Sequence, residues 1–356
     1  MTKILNSYWF TKIKSTWGAW LVLCLALVFY PLRGVVVTVD STFYMASAVN
    51  LSQGLGYLNA DWTPITIRGP MFPAILALGF QILGQSVENA MYILRLFFIG
   101  NLFVVYWLGK QFINRYVGLI AVILMLTSST IHFWSSRIHL DHVMPFFILL
   151  SNLILFIGIK KERTIYYAVA GLFLGLGFLV KDVAGLFVVV PALLWLVYKP
   201  YRQWKNITPI FIYMLIFSCL ALSWLFYATV YGDNNYFTTL VGWIFTTGVQ
   251  PTAVTASPAA NVISSSDANS THFLYTILTT IVSRFAKYYE LYYAEKFSIA
   301  PLFLIAWSYV IYRAIRYRQL AETFLALLLL LFTPIMLFLA KTEYRAGQTV
   351  YTYILS

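Results

Sequence analysis

Charge is what this sequence has least of. Asp, Glu, Lys and Arg make up 10% of its 356 residues, where a soluble domain carries about 25%. With 61% hydrophobic residues and a mean hydropathy of +0.78, so little charge excludes an ordinary soluble globular domain. Cysteine is scarce too. Cys24 and Cys219 both lie inside apolar runs, which excludes a disulfide framework and reads as packing. There is no nucleotide-binding GxGxxG: Gly54 and Gly56 in SQGLGY read as a tight turn. No long internal repeat and no soluble domain is visible.

What is present is a series of apolar runs near the ~20-residue length that crosses a bilayer, so the fold class is all-α, a polytopic membrane protein. The candidate spans are about 16–37, 91–109, 117–134, 143–159, 164–180, 184–198, 206–230, 299–315 and 320–340. Lys3, Lys12 and Lys14 precede the first run, which is too long for a signal-peptide core and lacks a cleavage site, so it reads as an uncleaved span. A further apolar run begins near Val350 and stops at Ser356, as in a chain truncated at its C-terminus.

The formal charge of +12 is an orientation signal. With the N-terminus inside, the inner loops collect Lys110, Arg115, Lys160, Lys161, Arg163, Lys199, Arg202 and Lys205, whereas the outer side receives Asp40, Asp61, Asp141, Asp182 and most other acids. Nucleic acid is not needed as a partner. The same rule decides residues 70–84: a span there would invert every later loop, and its 15 residues with two prolines fit a re-entrant or interfacial helix. Lys181-Asp182 breaks an apolar run too long for one helix, so two short spans meet there at an outer turn. The expected organisation is one membrane domain over residues 1–356, with a first outer loop at 38–90 and a large outer loop at 231–298. That large loop contains an interfacial amphipathic helix marked by Phe273, Ile277, Leu278, Ile281, Val282 and Phe285.

The first outer loop opens on Asp40, a carboxylate at the mouth of a membrane cavity, suited to taking a proton from an incoming hydroxyl or amine. Tyr44 is one helical turn away on the same face. The plainer account makes Asp40 a helix cap beside Ser41. Asp141 heads a span within WSSRIHLDHVMPFF; ionisable groups so close to hydrocarbon face a cavity or a partner. Arg137, His139, Asp141 and His142 suggest a metal site only weakly, since one carboxylate and two histidines do not close a ligand set. A capping Asp with interfacial histidines is the plainer account. Arg68 precedes Gly69-Pro70, and its guanidinium suits a phosphate at that depth, as it equally suits snorkelling to headgroups. Lys181 and Arg345 are outer-face bases open to the same two readings.

These motifs resemble the GT-C membrane glycosyltransferases, in the branch of the protein O-mannosyltransferases and the lipid A aminoarabinose transferases. The residues that carry the resemblance are Asp40-x-x-x-Tyr44, Ala48-x-Asn50-Leu51, Gly54-x-Gly56-Tyr57, Arg68-Gly-Pro70-Met-Phe-Pro73 and Leu83-Gly84. Leu140-Asp141 with Pro145-Phe146-Phe147 and the run from Gly171 to Lys181 add to it. It implies a bundle of about nine or ten transmembrane helices with interfacial helices on the outer face. It further implies a polyprenyl-phosphate-linked sugar as donor and a glycan, lipid or protein as acceptor. Asp40 would be the catalytic base, Asp141 would line the site, and Tyr44, Arg68, Lys181, Arg137 and Arg345 would serve donor or phosphate binding. The expected location is the cytoplasmic membrane with the site on its outer face, among membrane lipids, and no cofactor is expected; a divalent metal is compatible but not indicated. Protein mannosyltransferases carry Asp-Glu where this chain has Asp40-Ser41, which disfavours protein mannosylation. The alternative reading is a non-enzymatic transporter or flippase of lipid-linked sugars, a class that places its ionisable groups near the bilayer midplane.

Overall fold

The computed structural model describes residues 17–26, 37–127, 135–232 and 300–331. Arg345, the 233–299 stretch with its proposed amphipathic helix, and the terminal run from Val350 lie outside the described residues. The chain divides into two units. The first comprises Met1–Tyr236 with Arg318–Leu325, and the second Phe237–Tyr317 with Ala326–Ser356.

In the first unit, helices α1 (Trp17–Ala26), α2 (Val39–Ser52), α3 (Met71–Leu83), α4 (Val87–Phe112), α5 (Arg115–Leu126), α6 (Val143–Lys161) and α7 (Thr164–Val180) follow one another. A 3₁₀ segment, Asp182–Val189, leads into α8 (Val190–Val197), and α9 (Ile207–Tyr231) closes the series. An isolated antiparallel bridge joins Leu58 and Pro64. Helices α4, α6 and a helix running through α9 (Trp204–Tyr231) are long and apolar enough to cross a membrane; α1, α3, α5 and α7 are apolar but shorter.

Helix α3 has 13 residues, about 20 Å at 1.5 Å per residue, well short of the ~30 Å hydrocarbon layer. It is therefore not a span, in keeping with the sequence argument. It buries Phe72, Leu76 and Phe80 and leaves Leu78, Ile82 and Leu83 exposed. The apolar run is broken at Lys181-Asp182: α7 ends at Val180, and Lys181 adopts an extended conformation before the 3₁₀ segment starts.

Small residues and internal polar bonds join the helices, as lipid supplies no hydrophobic drive between them. A side chain at Gly171 would collide with the Tyr213 backbone, so α7 and α9 touch backbone to backbone at that point. The Ser151 hydroxyl of α6 donates to the Ala170 carbonyl of α7 at 2.7 Å. Helices α1, α4 and α5 share one apolar cluster built on Val22, Phe98, Leu102, Tyr106 and Val122. Phe324 packs its ring against Phe112 and Phe156. The basic ends of these helices lie together, where Lys205 of the α8–α9 connection pairs with Glu162 after α6 at 2.7 Å. Both are exposed, and such a pair contributes about 1 kcal/mol at most.

In the second unit the helix Ala300–Tyr317 carries Arg313, whose guanidinium lies over the rings of Tyr309 and Tyr317 at 5.8 and 5.2 Å.

Candidate active site

Helix α2 begins at Val39 and is capped by Thr38. The Thr38 hydroxyl accepts from the Ser41 amide at 3.1 Å, and the Thr38 amide donates to Ser41 Oγ at 3.1 Å, a complete capping box. The plainer reading of Asp40 as the cap therefore does not hold. Asp40 sits in the first turn with its side chain released from capping, and the helix N-terminus favours its negative charge.

Two side chains contact it directly. Arg68 pairs with Asp40 Oδ1 at 2.8 Å. His139 Nε2 stands 3.3 Å from Asp40 Oδ2, and His139 Nδ1 is hydrogen bonded to Asp141. Both nitrogens of one imidazole thus face carboxylate oxygens. Each must donate, so the ring is the imidazolium. The Arg68 guanidinium lies over the Phe43 ring at 4.5 Å and over Tyr44 at 5.4 Å, which accounts for the Asp40/Tyr44 spacing on one helix face. Asp40 is 41% and Arg68 35% exposed, while His139 is 16% exposed. Two carboxylates, Asp40 and Asp141, thus face two cations, Arg68 and His139.

The titration of these groups follows from the contacts. The hydrogen bond from His139, reinforced by Arg68 and opposed by burial, holds Asp40 well below the usual carboxylate range. Burial works against the charge on His139, but the bonds to Asp141 and Asp40 outweigh it and push the ring up to about 9. Asp141 stays below its ordinary value: burial would raise it, and His139, Lys181 and His142 lower it further than that. Burial pushes Tyr44 up to about 12 despite the neighbouring Arg68.

The Arg68 backbone is fixed from two sides. The Tyr57 hydroxyl, at 2.9 Å from the Arg68 carbonyl and 3.1 Å from that of Gly69, donates into this pair. A Cβ on Gly69 would overlap the Leu179 carbonyl, with the carbonyl carbon at 2.6 Å. The loop therefore rests directly on the last turn of α7, one residue before that helix ends at Val180. Gly54 and Gly56, at φ 76° and 101°, make the expected turn, and Asn50 closes it by donating to the Leu58 and Asn59 carbonyls at 3.1 Å each.

The other side of the site is held by His142, which caps α6 through its backbone with no side-chain cap bond. Its carbonyl accepts from Asn101 of α4 at 2.6 Å, and its Nε2 is 3.2 Å from Ser135 Oγ. Burial pushes this imidazole down to about 4, so it is neutral beside the charged His139 three positions away. Asp141 does not cap α6 either; its carboxylate belongs to His139.

The structure brings together Asp40, Tyr44, Arg68 and Asp141 from the expected set, with the charge of Lys181 acting on Asp141. Arg137 is partly buried in the same segment, and burial lowers its pKa; it remains a candidate by position. Arg345 lies outside the described residues. Among the described residues no three His, Cys, Asp or Glu side chains converge as a metal-binding set. His139 bridges the two aspartates instead. Sequence reasoning noticed this histidine and weighed it only as a weak metal ligand. Phe43, Tyr57 and Asn101 were not singled out for the site. The helical interval between Asp40 and Phe43 was the one available signal.

Residues 67–227 match the family described as dolichyl-phosphate-mannose-protein mannosyltransferase. That stretch contains Arg68, His139, Asp141 and Lys181 but begins after Asp40. No curated protein matches the chain by sequence. Among solved structures the chain is similar to ArnT from Cupriavidus metallidurans bound to undecaprenyl phosphate, with a TM-score of 0.53 at 13% identity over 96% of this chain. It is also similar to the same protein in the apo state, with a TM-score of 0.51 at 12% identity over 97%. In both cases it spans 63% of the length of that chain. An integral membrane protein with its polar cluster at one end of the helices, the chain has the GT-C fold and is similar over residues 67–227 to the dolichyl-phosphate-mannose-protein mannosyltransferases.

Proposed function

We propose that this protein transfers a sugar from a polyprenyl-phosphate carrier to a lipid, glycan or protein acceptor at the outer face of the cytoplasmic membrane, with inversion at the anomeric carbon. The observation that carries the reading is the placement of a carboxylate, Asp40, in direct contact with a guanidinium, Arg68, at the end of the bundle opposite its basic loops. The likeness of the fold to a structure crystallised with undecaprenyl phosphate supports a carrier of that type.

In this scheme the carrier phosphate docks on Arg68, whose flat donor array suits phosphate oxygens. Tyr44 and Phe43 hold that guanidinium from beneath, and Lys181 adds positive charge nearby. The acceptor hydroxyl or amine passes its proton to Asp40 as it bonds to the anomeric carbon. The bond between that carbon and the phosphate oxygen breaks, and its electron pair leaves with the carrier phosphate, where Arg68 stabilises it. Asp141 acts through His139. Arg137 and Arg345 are further candidates for contact with the donor. The scheme requires no cofactor, and whether the sugar is a hexose or a pentose rests on parts of the site beyond these residues.

The test is transfer of radiolabelled sugar from lipid-linked donor in membranes containing the protein. With Asp40→Asn we expect a loss of about 10²-fold or more, the usual scale of general-base catalysis. Wild-type turnover by that variant would remove Asp40 as the base, whereas no transfer by the wild type itself would leave transport of lipid-linked sugars as the better reading.

A further inference from the structure

The proposed base has a difficulty in its own geometry. Each oxygen of Asp40 is already engaged, Oδ1 by Arg68 at 2.8 Å and Oδ2 by His139 at 3.3 Å, and a carboxylate held between two cations is a weak proton acceptor. The two engagements differ in kind. Arg68 reaches Asp40 from an irregular loop, and its guanidinium is the group a phosphate would take. His139 is anchored from behind by Asp141, with Asn101 fixing the adjoining backbone through the His142 carbonyl. One contact can be exchanged for a ligand, whereas the other is built in.

We propose that His139 is a positioning residue that holds Asp40 through Oδ2, and that Arg68 masks Oδ1 until the donor phosphate draws Arg68 away and exposes the base. This deepens the transferase reading and rests on it. The device has a chemical use: a base silent until the donor is bound cannot abstract a proton from an acceptor that arrives first. It orders the reaction, donor before acceptor. It also explains the second carboxylate. Asp141 faces the far nitrogen of the imidazole and keeps the ring charged and aimed while Asp40 changes partners. The charged and titratable groups around His139 are Asp40 and Tyr44 from α2, Arg68 from the loop before α3, Asp141 and His142 from its own segment, and Lys181 at the end of α7.

The experiment measures binding of undecaprenyl phosphate to the purified full chain in nanodiscs across pH 6 to 10, for the wild type and for Arg68→Ala, Asp40→Asn, His139→Gln and His139→Lys. Asp40 competes with phosphate for Arg68, so D40N is expected to bind about 2- to 5-fold more tightly, the range a half-exposed ion pair supplies. The wild type should lose affinity as pH rises through about 9, because the site then loses a cation facing two anions. H139Q should bind more weakly at neutral pH and lack that limb. H139K should recover the affinity and show no limb at that pH. Saturable, Arg68-dependent binding with D40N no tighter than wild type, or with the pH limb intact in H139Q, overturns this inference and leaves the transferase reading standing. No saturable binding by the wild type overturns both. Nitrogen NMR of the histidine rings supplies a second readout that needs no variant to bind: His139 must remain doubly protonated above pH 8, and a neutral ring there sinks the proposal.

Discussion

His139 and Asp40 are 99 residues apart in the chain and stand 3.3 Å apart at the site, imidazole Nε2 to carboxylate Oδ2. With Asp141 on the other ring nitrogen, this contact turns an ordinary histidine into a lasting cation. The consequence for stability has a definite sign. A histidine whose folded value is raised from 6.5 to about 9 contributes stability that is complete below pH 6.5 and is lost as pH climbs through about 9. The size is on the order of 3 kcal/mol. Thermal unfolding of the detergent-solubilised protein should fall in midpoint between pH 6.5 and 9.5. His139→Gln should flatten that decline; an equal decline in the variant would assign it to other groups.

His142 acts in the opposite direction. Burial lowers its folded value to about 4, so its contribution is complete above pH 6.5 and lost as pH falls toward 4. Ring-nitrogen NMR should show His142 still neutral at pH 5.5, where an exposed histidine is charged. A His142 signal titrating near 6.5 would contradict the buried neutral ring.

Thr38 and Asp40 are separable although they share a helix turn. Thr38→Ala removes the capping hydroxyl and should cost about 0.5–2 kcal/mol of stability. Asp40→Asn leaves the capping box whole, so it should keep helical content while transfer is lost. Circular dichroism melts beside transfer assays decide this. The separation fails if D40N loses as much helical content as T38A.

Gly69→Ala is expected to be severe. Its new methyl would occupy the place of the Leu179 carbonyl, a backbone atom that cannot rotate away, and overpacking of this kind costs about 1–3 kcal/mol. Because the same loop carries Arg68, undecaprenyl phosphate binding should weaken together with stability. A Gly69→Ala protein of normal melting temperature and affinity would show that the loop does not rest on α7 as described.

Tyr57→Phe tests the support of Arg68 more gently. It deletes one hydroxyl from the Arg68 and Gly69 carbonyls, a loss of about 1 kcal/mol, and leaves the ring against Trp224 in place. Donor affinity should fall several-fold while the maximal transfer rate stays near wild type. A fall in maximal rate with unchanged donor affinity would mean that Tyr57 does not act through Arg68.

Much of the fold could be read from local chemistry. The rarity of charge and the lengths of the apolar runs specify helices in a membrane, because each backbone amide in lipid must be satisfied within its own helix. The charges of the loops argued against a span at 70–84, and α3, between Pro70 and the C-cap Gly84, has only 13 residues. Asp40 and Tyr44 share a face because four residues make about one helical turn. The sequence left Asp40 open between proton acceptor and helix cap. The helix starts at Val39, however, and Thr38 with Ser41 satisfies its amides.

The partners were another matter. Arg68 reaches Asp40 only because Gly69 lets its loop settle on the end of α7. His139 looked like part of a poor metal set, since the spacing in HLDH says which residues are close in the chain and nothing of where each ring nitrogen points. Composition and periodicity act over one or two helical turns, and they were enough to specify a membrane helix bundle with acids at one end and bases at the other. The Asp40–His139–Asp141 bridge depends on α2, α6 and the end of α7 meeting at one place, and contacts between elements remote in sequence exist only once the helices have packed.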